Sequence, residues 1–265
     1  MRSTLITTLA ALLGAEAILA NPITFVPRSS KGGAASLRKN GLSIPLSDNN
    51  SLDSAATNYT ANWAGAVLVG SGFQSVVGTF TVPTPKIPPG GTPDTRYEGS
   101  AWVGLDGSTC RTAILQTGIN WSVQGDSVSF EPWYEWWPDT AHIFSGFEVR
   151  GGDQIKLTAT ASSTSAGSVL IQNLSTGKEV SQSFSGESDL LCETNAEWIV
   201  EDFKRGGNSV PFADFRSVTF TGASATTSEG TVGLSGATIM DIRQDNKVLT
   251  SSSISGSSSV TVSYL

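Results

Sequence analysis

The sequence predicts an all-β protein, an antiparallel β-sandwich or jelly roll of the concanavalin-like kind, in a single domain. Three observations carry this expectation. Segments of six to ten residues alternate apolar and polar side chains, the period of a strand with one buried face. Turns rich in Gly, Ser and Pro separate them at short intervals. About 210 residues remain once an atypical N-terminus is set aside, enough for one sizeable core.

The first twenty residues, MRSTLITTLAALLGAEAILA, place Arg2 ahead of an apolar run from Leu5 to Leu13 and end in small residues. That pattern is a secretory signal peptide, too short to remain as a membrane span, and it predicts a secreted, extracellular protein. Residues 21–55 are poor in periodicity and carry Arg28, Lys31, Arg38 and Lys39 against Asp48 and Asp53. Beyond position 53 the chain holds 11 Lys and Arg against 20 Asp and Glu. A basic arm ahead of an acidic body reads as a removable propeptide, leaving residues 56–265 as the folded domain. The scattered cations of that domain do not form the cluster that phosphates require, so nucleic acid is excluded as a partner. No other segment spans a membrane, and a monomer is expected. An acidic body also suits low pH, where protonation relieves self-repulsion, and it predicts weakening as pH rises.

Strands are expected over NWAGAVLV (62–69), FQSVVGTFTV (73–82), QIKLTATASS (154–163), SVLIQNLS (168–175), KEVSQSFS (178–185), SVTFTGA (217–223), ATIMDI (237–242) and VTVSYL (260–265). The four prolines and three glycines of residues 84–100 predict an exposed loop open to nicking. In TNAEWIVEDF, Thr194 and Glu197 match a helix capping box. The Trp198, Ile199, Val200 run favours a strand instead, which sends Ile199 and Glu201 to one face and Trp198 and Val200 to the other. Sequons stand at Asn58, Asn120 and Asn173.

Residues 101–139 concentrate five of the seven tryptophans, Trp102, Trp121, Trp133, Trp136 and Trp137, together with Gln116 and the acids Asp106, Glu131, Glu135 and Asp139. His142 is the only histidine and no G-x-S-x-G accompanies it, so a Ser-His-Asp system lacks its context. The only two cysteines, Cys110 and Cys192, are best used as one disulfide, which removes a thiol nucleophile. Too few His and Cys remain for a zinc site, so neither metal nor cofactor is expected. Carboxylate and amide chemistry is what is left, with Asp106, Glu131, Glu135, Glu197 and Glu201 as candidate acids and Gln116 as the candidate amide. A jelly-roll glycoside hydrolase using Glu135 and Glu201, or a non-catalytic carbohydrate-binding module, fits the Trp and carboxylate content too, but gives Gln116 no role in chemistry.

Four stretches in order, NWAGAVLVGSGF, AWVGLDGSTCRTAILQTG, WYEWWPD and LCETNAEWIVEDF, resemble the fungal glutamic peptidases, the eqolisin family. The resemblance runs from about Asn62 to the C-terminus. It implies an acid-acting, pepstatin-insensitive endopeptidase on a β-sandwich, acting on protein and peptide substrates without a metal. It assigns the family's glutamine to Gln116, as donor to the tetrahedral oxyanion, and its glutamate to Glu201, as the base that activates water. Glu197 is implied as supporting, Trp63, Trp102, Asp106, Trp133 and Glu135 as lining or holding the cleft, and Cys110–Cys192 as the family's bridge. The propeptide then acts as the enzyme's own inhibitor. The chain departs from some relatives in lacking further cysteines near the C-terminus, and its 84–100 loop leaves one-chain and nicked two-chain maturation both open.

Overall fold

The computed structural model describes residues 26–27, 57–205 and 208–265. The signal peptide and all of the expected propeptide except Val26–Pro27 lie outside the described residues. Among the described residues there is no helix. Along the chain run β1 (Val26–Pro27), β2 (Asn58–Thr60), β3 (Trp63–Val69), β4 (Ser75–Thr81), β5 (Tyr97–Leu105), β6 (Ile114–Gln124) and β7 (Ser127–Trp137). There follow β8 (His142–Ile143), β9 (Gln154–Ser163), β10 (Ala166–Asn173), β11 (Lys178–Ser185), β12 (Asn195–Glu201), β13 (Lys204–Arg205) and β14 (Asn208–Ser209). The last six are β15 (Ser217–Thr227), β16 (Gly230–Val232), β17 (Thr238–Gln244), β18 (Lys247–Val248), β19 (Thr250–Ser255) and β20 (Ser259–Tyr264). The segment around Glu201 is a strand, as its β-branched run predicts, and the capping-box pattern at Thr194 is not used.

Two sheets form the sandwich. The larger has the order β1-β8-β7-β6-β5-β12-β3-β17-β18, with β2 added parallel to β17; the smaller is β11-β10-β9-β4-β15-β20-β19, with β16 on β15. Every other named pairing is antiparallel. Between the sheets lies one large apolar core that includes Phe80, Leu105, Leu115, Trp121, Ile155, Trp198 and Phe220. Trp198 also joins the layers directly, its indole N–H donating to the Val77 carbonyl at 2.8 Å.

Alternation then dictates what the outer face of the larger sheet carries. Ala101, Val103 and Leu105 of β5 face the core, so Glu98, Ser100, Trp102 and Gly104 face outward. The same parity sends Gln116, Gly118 and Asn120 of β6 outward, with Glu131, Trp133 and Glu135 of β7 and Glu197, Ile199 and Glu201 of β12. A second, smaller apolar cluster on this face joins Val67, Trp102, Trp133, Ala141, Ile199 and Met240, with Trp63 packed against it.

The Pro-rich loop ends at Arg96, because Tyr97–Ser100 already open β5 and are buried. It is tethered where Gln124 and the Gly125 N–H donate to the carbonyls of Asp94 and Pro93, while residues 92–94 stay exposed. Burial also separates the sequons at Asn58, Asn120 and Asn173. Asn120 is 3 % exposed on the outer face, and Asn173 is 1 % exposed with its side chain spent on Asp153, Ser175 and Thr176. A glycan on either is incompatible with this fold. Passed through a glycosylating secretory route, the folded domain of residues 56–265 is expected to carry glycan at Asn58 alone, and Asn58→Gln to abolish the mass that endoglycosidase releases from that domain; glycopeptides at Asn173 would contradict this.

Candidate active site

Glu201 ends β12, opposite Trp63 of β3 and Ser100 of β5. Its Oε1 accepts from the Asn62 amide at 3.0 Å and its Oε2 from the Trp102 indole N–H at 2.9 Å. Asn62 stands in a turn tied by Thr60, whose hydroxyl accepts from the Trp63 N–H at 2.7 Å, and the Asn62 carbonyl accepts from the Asp202 N–H at 2.9 Å. Asn62 is therefore held by backbone on its far side. Trp63 packs edge-on against Trp102, ring centroids 5.0 Å apart.

Gln116 is the third residue of β6, between Gly104 on β5 and Glu135 on β7. Its Nε2 donates to Glu135 Oε2. The nitrogen end of the amide thus faces β7, and Nε2 keeps a second N–H. Gln116 Oε1 is buried and makes no hydrogen bond among the described residues.

Gln116 and Glu201 share the outer face, two strands apart and four residues out of register. Trp102 occupies the middle of that diagonal. Two glycines make room for it: a Cβ on Gly118 would stand 2.6 Å from the Trp102 Cβ, and one on Gly104 would stand 3.0 Å from its ring and 3.1 Å from the Gln116 Cβ. The alternation in QTG and VGL thus seats an indole between an amide and a carboxylate. The two residues are 3 % and 4 % exposed, an environment in which a dipole or charge acts more strongly than in water.

The remaining expected site residues divide. Glu135 touches Gln116, and Trp133 stands on the same face with its indole N–H on Ser100 at 3.1 Å. Asp106 is placed differently from the expectation that it holds the dyad by hydrogen bonds. Its buried carboxylate accepts from the N–H groups of Cys192, Glu193, Thr194 and Asn195 and from the Thr194 hydroxyl, at 2.7–3.1 Å. It folds the loop that leads into β12 and supports Glu201 from the opposite end of that strand. Glu197 lies near it, accepting from the Ser108 N–H at 3.0 Å. The Cys110–Cys192 disulfide closes this knot. His142 is on β8, stacked on Tyr134 at 5.4 Å. Among the described residues no group of three or more His, Cys, Asp or Glu is arranged to hold a metal ion.

Several neighbours were not singled out by sequence reasoning. Asn62 is one, although it opens the NWAG stretch. Asp202 is another: burial pushes its carboxyl up to about 7, with the Gln244 hydrogen bond at 2.7 Å and Lys204 pulling the other way. Beyond Glu201 the same face carries an ion cluster of Glu98, Glu131 and Arg205. A groove lined by Pro132, Ile143, Phe147 and Arg150 lies at the β7–β8 margin and includes neither Gln116 nor Glu201.

Comparison with known proteins finds similar sequences and structures. The profile of the Peptidase A4 family matches residues 61–264. Aspergillopepsin-2 of Aspergillus niger is 48 % identical, the match covering 98 % of this chain and 99 % of that protein. Scytalidopepsin B of Scytalidium lignicola is 43 % identical over 77 % of this chain and 78 % of its own. The crystal structure of scytalido-glutamic peptidase with a transition state analog inhibitor superposes with a TM-score of 0.70 at 43 % identity, covering 77 % of this chain and 98 % of that one.

Proposed function

The chain belongs to the Peptidase A4 family, the glutamic peptidases, and from that premise we propose that it is an acid endopeptidase whose dyad is Gln116 and Glu201. The observation that carries the reading is their common face, with Glu201 held by two donors and Gln116 aimed by Glu135. A carboxylate offers about four acceptor sites, so Glu201 can take a water beside its protein partners. Glu201 takes a proton from that water as its oxygen bonds to the scissile carbonyl carbon. The carbonyl electron pair moves to oxygen, and the free N–H of Gln116 donates to the oxyanion. As the C–N bond breaks, Glu201 returns the proton to the leaving amine. A neutral amide donates at any pH, and a carboxylate base is still partly ionised in acid where an imidazole would be blocked. The glycosidase and carbohydrate-binding readings fall with the family membership.

The same reading makes residues 1–20 a secretion signal and residues 21–55 an inhibitory propeptide of a secreted monomer. Its support is the pairing of Val26 with Ile143 and Pro27 with His142, which sets part of that segment on the edge of the larger sheet. Arg28, Lys31, Arg38 and Lys39 would pair with carboxylates near neutral pH and let go as these protonate.

The test is cleavage of a denatured protein at about pH 3 by acid-incubated enzyme with pepstatin present. Wild type is expected to cleave, and its mass to show loss of residues 21–55. Gln116→Ala is expected to lose about 100- to 1,000-fold in kcat, the usual worth of an oxyanion donor. Undiminished turnover in that variant would remove Gln116 from the dyad, and cleavage by the uncut chain would remove the inhibitory role of the segment.

A further inference from the structure

We propose that Arg205 is a specificity residue that reads a carboxylate of the substrate peptide, a reading that rests on the peptidase function above. Arg205 leaves the sheet four residues after Glu201, and its guanidinium returns to the outer face. Its Nε and Nη2 clasp Glu98 at 3.0 and 2.9 Å, and Nη2 also donates to Glu131 at 3.0 Å. Glu98 is in turn bound by Arg96 Nε at 2.9 Å. The flat of the guanidinium lies over the Phe203 ring, 5.4 Å from its centroid.

A guanidinium has five N–H donors in a fixed fork. Three are committed to the two glutamates, and Nη1 donates to no described residue, so its two N–H groups are the ones left for a ligand. The side chain is 30 % exposed, enough to be reached and too little to swing freely. Burial works against its charge, but Glu98 and Glu131 outweigh that and keep it protonated. The two diverge from a single nitrogen, so a substrate carboxylate takes one of them in a single charge-assisted hydrogen bond, on a guanidinium already fixed from behind.

Its place in the register says what it would read. Glu131, Asn120, Ser100 and Glu201 form one row across β7, β6, β5 and β12, and Glu98 lies two residues further along β5. Gln116 is on the opposite side of Glu201's row. An extended substrate lying past the dyad therefore meets Arg205 a few residues from the scissile bond, at the end away from Gln116, given about 3.4 Å per residue. An Asp or Glu side chain, or a terminal carboxylate, is the group that Nη1 would take. The charged groups facing the guanidinium are Glu98 from β5 and Glu131 from β7, while β6 presents the uncharged Asn120 beside Glu131. Glu131 competes with an incoming carboxylate, so the site reads one best when that carboxylate is ionised and Glu131 is not.

The experiment compares matched peptides bearing Glu or Gln at each of three positions on either side of the scissile bond, at about pH 3 and about pH 5, around the ordinary Glu value. Wild type is expected to prefer Glu by about tenfold in kcat/KM at one position at the higher pH, a single charge-assisted hydrogen bond's worth. The ratio should shrink toward one at the lower pH, where the substrate carboxyl is protonated. Arg205→Gln should flatten the ratio while still cleaving the Gln peptides, and Glu131→Gln should raise it at the same position. A flat ratio in wild type, or one unmoved by Arg205→Gln, overturns the proposal alone. If Arg205→Gln also loses the Gln peptides, the Glu131→Gln ratio decides: raised supports Arg205, unchanged overturns it. Failure to cleave any peptide overturns the peptidase reading and this one with it.

Discussion

Replacing Glu201 by glutamine is expected to lower kcat by about a thousandfold or more, with the fold intact. The size follows from what is removed. Glutamine cannot take a proton from water or return one to the amine, and positioned acid–base groups contribute about 100- to 10,000-fold. The substitution keeps the shape of the side chain but brings an NH2 group to a place with two donors, Asn62 and Trp102. The indole N–H cannot reverse, so the new amide must turn its oxygen to Trp102. Asn62 can flip its own amide and present its oxygen to the other side. One hydrogen bond is rearranged rather than lost, and thermal unfolding is expected to shift by only a few degrees, about 1 kcal/mol. Kinetics on a fluorogenic peptide, beside a melting curve, separate the two effects. Activity within tenfold of wild type in a well-folded variant would take the base away from Glu201.

The second large effect is on stability and comes from the neighbouring Asp202. Its carboxyl is pushed by burial from its ordinary value of 3.8 up to about 7 in the folded chain. Below pH 4 both the folded and unfolded forms hold the proton, and this group contributes nothing to the difference between them. Between about 4 and 7 the unfolded chain releases the proton while the folded chain keeps it, so the folded state binds more protons and stability falls as pH rises. Across the window the loss is on the order of 4 kcal/mol. Asp241, also raised by burial, adds with the same sign. Urea unfolding at pH 4 and pH 7 should show the decline in wild type and a much shallower one in Asp202→Asn. Equal slopes in the two proteins would mean that some other group carries the pH dependence. The acidic composition of the chain points the same way, but this pair of aspartates gives it a location.

Much of the site was legible because alternation does two jobs in a sheet. In WIVEDF it separates Trp198 and Val200 from Ile199 and Glu201, and the first pair is in the core while Ile199 joins the outer cluster. The strands at 154–163 and 178–185 begin and end where the pattern does. Asp106 shows the limit. An acid beside a Gly in DGS reads equally as site or scaffold, and only the folded chain reveals the loop N–H groups converging on it. Arg205 and Glu98 were harder still, and Glu131 was legible only as one candidate acid among five. Each is an ordinary charged residue in sequence, and the bonds that join them span 107 and 74 positions. The sequons at Asn120 and Asn173 read as surface chemistry because the three-residue motif contains no information about which face of a strand it falls on.

Neither half of the dyad rides on a loop. β12 is flanked by β5 and β3 with all seven residues buried, and β6 is flanked by β5 and β7. Freeing either strand means parting the middle of the larger sheet, an opening whose free energy approaches that of unfolding the whole domain. A peptidase in solution is always among copies of itself, and any segment that breathes can be cut. On the proposed function, autolysis is expected to begin at exposed connections such as residues 92–94, which the sheet can lose as a continuous chain without releasing β6 or β12. The proposed pair is therefore among the last parts of the molecule that a second copy can reach, and the first cuts are expected to leave it in place.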